Sequence, residues 1–236
     1  MRYRKNGGSE EFAVPTSVRQ AVSPNRFQWL RTIEVRIMVK NEFAWSCLRR
    51  DIERYVQLAD GEWMLLQQLG RIIKVARGDC LSRQGELVTR VGFLCSGHFK
   101  SVRINRDGKE AILSLYLPGA WVCDLESFLH GTTGRVALQA ITDAVVICFD
   151  KQDEQTVLSK LPSVTKYLLR IHQNYIVLLQ HKLSVMQYGS ARQKYEYFLA
   201  MNYGELIPHL TQKQIAAYLG ITPEFLSTQK NLVKKC

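Results

Sequence analysis

The residues best placed to do chemistry lie near the C-terminus, between 211 and 230, in the run TQKQIAAYLGITPEFLSTQK. Hydroxyls (Thr211, Thr222, Ser227, Thr228), an amide (Gln212), a carboxylate (Glu224) and an ammonium (Lys230) recur there. None stands as a nucleophile beside a base. Their chemistry is hydrogen bonding and charge pairing, of the kind that meets phosphates and base edges. Thr211 suits a helix cap ahead of the apolar face Ile215, Ala216 and Leu219, and Gly220 stands where a left-handed backbone ends a helix. Ile221 packs under the turn. Thr222-Pro223-Glu224 then restarts a helix with a hydroxyl cap, a proline at the first helical position and an acid in the first turn. Phe225 and Leu226 are expected to bury, leaving Ser227, Thr228 and Lys230 outward. Two short helices across a glycine turn form a helix-turn-helix, whose second helix enters the major groove of DNA. The same spacing also fits an ordinary helical hairpin, so the rest of the chain must decide.

Other chemistries find no footing. His98, His130, His172, His181 and His209 are scattered, with no Ser/His/Asp or Cys/His arrangement around them. Neither a phosphate-binding GxxxxGK nor a dinucleotide GxGxxG occurs, and the expectation is a protein that is not an enzyme. Cys47, Cys80, Cys95, Cys123, Cys148 and Cys236 stand singly, without the grouping that zinc or an iron–sulfur cluster needs, so no metal and no cofactor is expected. Most of these thiols sit in apolar runs, where cysteine acts as a small hydrophobe. The formal net charge of +11 suits a polyanionic partner, although the first forty residues supply a good part of it. No apolar run approaches membrane-spanning length and no signal peptide is evident, which with isolated thiols predicts a cytoplasmic protein.

The elements that must position the C-terminal helices come in a definite order. Residues 1–45 read as an extension, disordered or partly helical, with a short helix possible around Phe27–Ile37; Met38 is a plausible alternative start. The spacing of Ile52, Tyr55, Val56, Leu65, Leu66 and Leu69 predicts short helices broken at Asp60-Gly61. Strand-like runs follow at Ile72–Val75, Cys80–Ser82, Val91–Cys95 and His98–Ile104. Arg106-Asp107-Gly108-Lys109 is a hairpin turn leading to an alternating run over Ala111–Leu117. A strand pair over Leu138–Asp150 is interrupted at Thr142-Asp143. Regular short strands of this kind predict an antiparallel sandwich or barrel.

After Pro162 the period turns helical for some 25 residues, roughly 40 Å at 1.5 Å per residue. Leu168, Ile171, Tyr175, Leu178 and Val185 continue a 4-3-4-3 seam from Val164, interrupted where Lys182 points inward. Such a seam predicts a two-helix dimer; the alternative is a helix packed wholly within its own chain. Gly189-Ser190 then starts a helix over Ala191–Met201 that leads into the helix-turn-helix.

In this order the chain resembles the Crp/Fnr superfamily of bacterial transcription regulators, from about Asp51 onward. The resemblance rests on Gly78-Asp79 with Gly85-Glu86, on Phe93-Leu94-Cys95-Ser96-Gly97, and on Pro118-Gly119. Asp124 through Leu129 (DLESFL), Ser190-Ala191-Arg192 and Ile215 through Ser227 are most similar to the Bacteroidetes branch. It implies an α+β fold: an N-terminal antiparallel β-barrel of the jelly-roll, cyclic-nucleotide-binding-like kind over 46–160, a long dimerisation helix over 161–188, and a winged helix-turn-helix domain over 189–236. It further implies a homodimer reading pseudo-palindromic double-stranded DNA, with RNA polymerase as a further partner and no membrane. Thr211 and Gln212 would meet phosphate, Thr222, Glu224, Ser227 and Thr228 would face base edges or sugar-phosphate, and Lys230 the backbone. Family members usually carry arginine directly after the recognition-helix serine; here Thr228, Gln229 and Lys230 follow. This departure implies a different base preference, or a ligand-binding or interaction module that keeps the fold without specific DNA binding.

The resemblance also implies an effector pocket at Cys123, Asp124, Leu125, Glu126, Ser127 and Arg135. In the family a glycine and acid meet a ribose here, and an arginine followed by serine grips a phosphate. Cys123-Asp124 stands in the first place, and Arg135-Val136 is the nearest match to the second. The cysteine, the missing serine and the acids Asp124 and Glu126 argue against a cyclic nucleotide. The barrel then either takes another small molecule or serves as a scaffold.

Overall fold

Eight short strands, mostly bounded by turns, fold into two four-stranded antiparallel sheets in the computed structural model, which describes the backbone of residues 41–108 and 110–233 and side chains up to Thr228. The strands are β1 (Gly70–Val75), β2 (Cys80–Ser82), β3 (Arg90–Ser96), β4 (Phe99–Ile104), β5 (Glu110–Tyr116), β6 (Trp121–Val122), β7 (Ala137–Ala140) and β8 (Ala144–Asp150). One sheet has the order β1-β8-β3-β6 and the other β2-β7-β4-β5, the layout of a jelly roll. Leu94, Phe99, Val122, Leu138 and Val146 fill the space between the sheets. The turn into β4 needs Gly97: its φ is +84°, and a Cβ there would lie 2.4 Å from the carbonyl oxygen of Asp143.

The outer side of the first sheet is covered by helices. α1 is helical through residue 53, and α2 spans Asp60–Leu69. Asp60 and Glu62 sit in the first turn of α2, where the exposed N–H groups favour acids. The break expected at Asp60-Gly61 therefore lies earlier, across 54–59. Ala44, Leu48, Ile52, Trp63, Leu66, Phe93, Ile147 and Tyr167 form one core, with Trp45 edge-on to Trp63 at 5.7 Å between ring centroids. The folded unit begins at Phe43, so Ala44 and Trp45 belong to it and not to the extension expected over 1–45. The expected helix around Phe27–Ile37, Lys109 of the hairpin turn and Cys236 lie outside the described residues.

After two short helices, α3 (Leu125–His130) and α4 (Glu154–Lys160), comes α5, which runs 27 residues over Pro162–Tyr188 as the sequence predicts. Its buried Tyr167 donates its hydroxyl to Asp51 at 2.6 Å and accepts from the Trp121 indole at 2.8 Å. The helix is thereby fastened to α1 and to β6. α6 (Ala191–Ala200) opens with a capping box between Ser190 and Gln193. α7 (Gln212–Leu219) and α8 (Pro223–Val233) complete the fold. Among the described residues no strand follows β8, so the wing of a winged helix-turn-helix is not among them. Phe198, Leu206, Ile215, Leu219 and Leu226 share a core with Leu115 of β5 and Ile141, which seats the C-terminal helices directly on the barrel.

Candidate nucleic-acid interface and effector region

Local chemistry sets both helices of the C-terminal pair. The Thr211 hydroxyl accepts from the Gln214 N–H at 3.2 Å, and the Gln214 side chain accepts from the Thr211 N–H at 2.9 Å. Gly220, at φ +61°, reverses the chain. The Gly220 N–H then reaches the Ala217 carbonyl at 3.2 Å and the Ile221 N–H reaches that of Ala216 at 3.0 Å. Thr222 caps α8 by accepting from the Phe225 N–H at 3.2 Å.

Leu226 is fully buried and anchors α8, as expected, whereas Phe225 is 40% exposed and does not join the core. The two are adjacent on the helix and so point about 100° apart; only Leu226 faces the other helices. Thr211, Gln212, Thr222, Glu224, Ser227 and Thr228 are all exposed. The Thr228 hydroxyl donates to the Glu224 carbonyl at 3.2 Å, leaving its lone pairs free to accept. The side chain of Lys230 lies outside the described residues. Phe225 is thus an exposed aromatic where the sequence predicts a buried one. An exposed aromatic beside hydroxyls can meet a thymine methyl.

The effector cassette is organised differently from expectation. Asp124, 8% exposed, accepts the backbone N–H of Arg135 at 2.7 Å, of Val136 at 3.3 Å and of Ser127 at 3.4 Å. Its carboxylate thus occupies the place where converging main-chain donors would hold an anion. Ser127 is buried and donates to the Thr133 carbonyl at 3.1 Å. The Arg135 guanidinium is exposed and paired with Glu126 at 3.0 Å. Burial pushes the Cys123 thiol up to about 12, so it remains protonated. Leu125 is half-buried and lines a neighbouring cavity. The six residues do not converge on one ligand: three serve the fold, and the arginine faces solvent.

The family model for the cyclic nucleotide-binding domain matches residues 72–160. The chain is 28% identical over 178 residues to an anaerobic regulatory protein of Aggregatibacter actinomycetemcomitans, covering 69% of this chain and 68% of that one. It is 24% identical over 208 residues to the transcriptional activator protein FnrL of Cereibacter sphaeroides, covering 80% and 77%. The matched domain and these relatives support a regulator of the Crp/Fnr type. Among solved structures, the fold is similar to FixK2 of Bradyrhizobium japonicum, with a TM-score of 0.59 at 17% identity over 70% of this chain and 85% of that one. It is also similar to a CooA mutant of Carboxydothermus hydrogenoformans, with a TM-score of 0.56 at 19% identity over 72% and 78%.

Along the long helix the predicted seam residues divide between the core and a cavity. Leu168 and Ile171 pack against the core under the first sheet, while Tyr175 and Leu178 line a cavity between α5 and the barrel. Val185 is half-buried at the helix end, where its carbonyl accepts the Gly189 N–H at 2.9 Å. The seam expected to meet a partner is therefore largely the seam that faces the chain's own barrel. Leu169, Ile176 and Leu183, on the adjoining face, are 58%, 56% and 57% exposed. Apolar residues occupy both seams, and period alone cannot say which one the barrel takes.

The chain also holds an open cavity of about 840 Å³, walled by the barrel, by α5 and by residues after α6. No helix among the described residues is long and apolar enough to cross a membrane.

Proposed function

We infer that this protein regulates transcription by binding double-stranded DNA as a homodimer, with α8 as the recognition helix. The observation that carries this reading is the exposed row Thr222, Glu224, Ser227 and Thr228 on a helix anchored by fully buried Leu226. Beside it, the first turn of α7 exposes Thr211 and Gln212, where helix-terminal N–H groups favour a phosphate. Glu224 accepts from a cytosine amino group and the hydroxyls bond either base type. Two-fold symmetry sets the half-sites about one turn of DNA apart. The exposed apolar residues Leu169, Ile176 and Leu183 supply the contact between long helices. The barrel serves as a scaffold or takes a ligand other than a cyclic nucleotide, since Asp124 fills the anion seat and Arg135 faces away.

A second reading, an interaction or ligand-binding module that no longer reads sequence, is favoured by the absence of arginine between 222 and 233. Selection of duplexes from a random pool separates the two. The regulator enriches a two-fold motif, loses that preference on Ser227→Ala with Thr228→Ala, and shows a steep log–log salt dependence. Equal, weak binding to every duplex would establish the second reading.

A further inference from the structure

One end of the 840 Å³ cavity is polar, and its charge is unmatched. Lys182 enters it from α5, half-buried. Its ammonium donates to the Leu113 carbonyl at 2.7 Å and lies 4.8 Å from the centre of the Tyr218 ring in α7. Leu113 is the extra residue of a β-bulge: Ser101 pairs with Ser114 and Val102 with Ile112, so Leu113 has no partner in β4. Neither contact of the ammonium carries negative charge, and among the described residues no carboxylate pairs with Lys182. Burial holds its pKa below the ordinary lysine value. The tyrosines Tyr116, Tyr175 and Tyr203 line the cavity too, and the rest of its lining combines apolar Leu117, Trp121, Leu125 and Phe128 with the charged Asp51, Arg54, Asp150 and Glu154.

We propose that this cavity binds an amphipathic monoanion, a carboxylate with an apolar body, with its head at Lys182 and tyrosine hydroxyls around it. A cation in a low-dielectric site without a counter-charge is costly, and a carboxylate supplies both charge and acceptors for it. At the Lys182 end one ammonium matches one negative charge, and the apolar part of the lining, Leu117, Trp121, Leu125 and Phe128, matches a hydrocarbon body. Leu169 and Leu179 also border the cavity, and Tyr197, Met201 and Tyr203 line it from α6 and the residues after it. Lys182 connects the β5 bulge to Tyr218 of the C-terminal helices. A carboxylate that draws the ammonium toward itself therefore competes with the ring contact and alters how those helices seat on the barrel. The inference deepens the regulatory reading by naming its ligand class, and its test uses no DNA, so the two can fail separately.

The test is calorimetric titration of the full chain with decanoate and with its uncharged methyl ester. Decanoate is expected to bind saturably, the ester about tenfold more weakly, and Lys182→Met to lower decanoate affinity by about tenfold or more, as loss of a charge-assisted bond requires. Lys182→Arg, which keeps the charge, retains most of the affinity and serves if Lys182→Met does not fold. Equal binding of acid and ester, or unchanged binding by Lys182→Met, would reduce the cavity to an apolar surface and overturn the proposal. So would absence of decanoate binding, including the case in which sedimentation shows a second copy covering the groove.

Discussion

The carboxylate of Asp124 holds the backbone N–H of Arg135 at 2.7 Å, so two residues named for an effector pocket are joined to each other through the main chain. Asp124→Ala removes a buried acceptor from three N–H groups and is expected to cost about 1–3 kcal/mol, read by denaturant unfolding. Arg135→Ala breaks only the exposed pair with Glu126 and is expected to cost under about 1 kcal/mol. Calorimetry with cAMP should show no binding to the wild type. Binding that depended on Arg135 would show that the cassette rearranges around a phosphate.

The seat of the C-terminal helices on the barrel is expected to weaken in mild acid. His98 lies between the strands and the residues after α6. Its Nδ1 is 3.3 Å from the Thr142 hydroxyl, its ring is 5.9 Å from that of His209, and its Nε2 is 3.8 Å from Glu205. Burial, then the charge of His209, lower its pKa below 6.5, while Glu205 partly opposes them. A lowered folded pKa means the unfolded chain binds the proton first. The contribution to stability is therefore complete above the ordinary value of 6.5 and lost as pH falls from there through the lower folded value. His98→Asn should flatten this part of the pH–stability profile. An unchanged acid limb would assign it to carboxylates elsewhere.

The turn between α7 and α8 offers a separate test of the reading head. Gly220→Ala places a side chain at φ +61° and is expected to cost about 1 kcal/mol. Thr211→Ala removes the cap of α7 at a cost of about 1 kcal/mol. Both should lower the melting temperature and weaken duplex binding, whereas Ser227→Ala should weaken binding without changing stability. A melting temperature unmoved by Gly220→Ala would contradict the left-handed geometry of the turn.

The parts legible in sequence are those set by neighbours in the chain. Hydroxyl caps, Gly220, Pro223 and Asp107-Gly108 act within a turn, and the strand runs around Ile72, Phe93 and Val146 carry their own apolar pattern. β6 has only two residues and exists through its pairing with β3 at Gly92 and Phe93, which no local period announces. Asp124 reads as a stray acid near a phosphate site until its contacts eleven residues away are seen. The bulge at Leu113 and the Tyr167–Asp51 bond are likewise set by distant partners, so the role of Lys182 was visible only as a break in a helical seam.

That seam supplies the last prediction, because its two faces should answer differently. Leu169→Asp, Ile176→Asp and Leu183→Asp alter side chains that are more than half exposed, so each should leave the monomer folded. If the long helices pair through this face, burying a carboxylate in the seam opposes association, and sedimentation should show dimer shifting to monomer. Ile171→Ala acts on the other face, against the core formed by Phe93, Phe149 and Leu161, and should lower stability by about 1–3 kcal/mol with little effect on association. The reverse pattern, dissociation from Ile171→Ala and none from Ile176→Asp, would return the dimer contact to the seam first read from the spacing of Leu168, Ile171, Tyr175 and Leu178. Duplex binding adds an independent measure, since a dimer reads two half-sites and a monomer one. Ile176→Asp should therefore weaken binding to a two-fold site far more than binding to a single half-site.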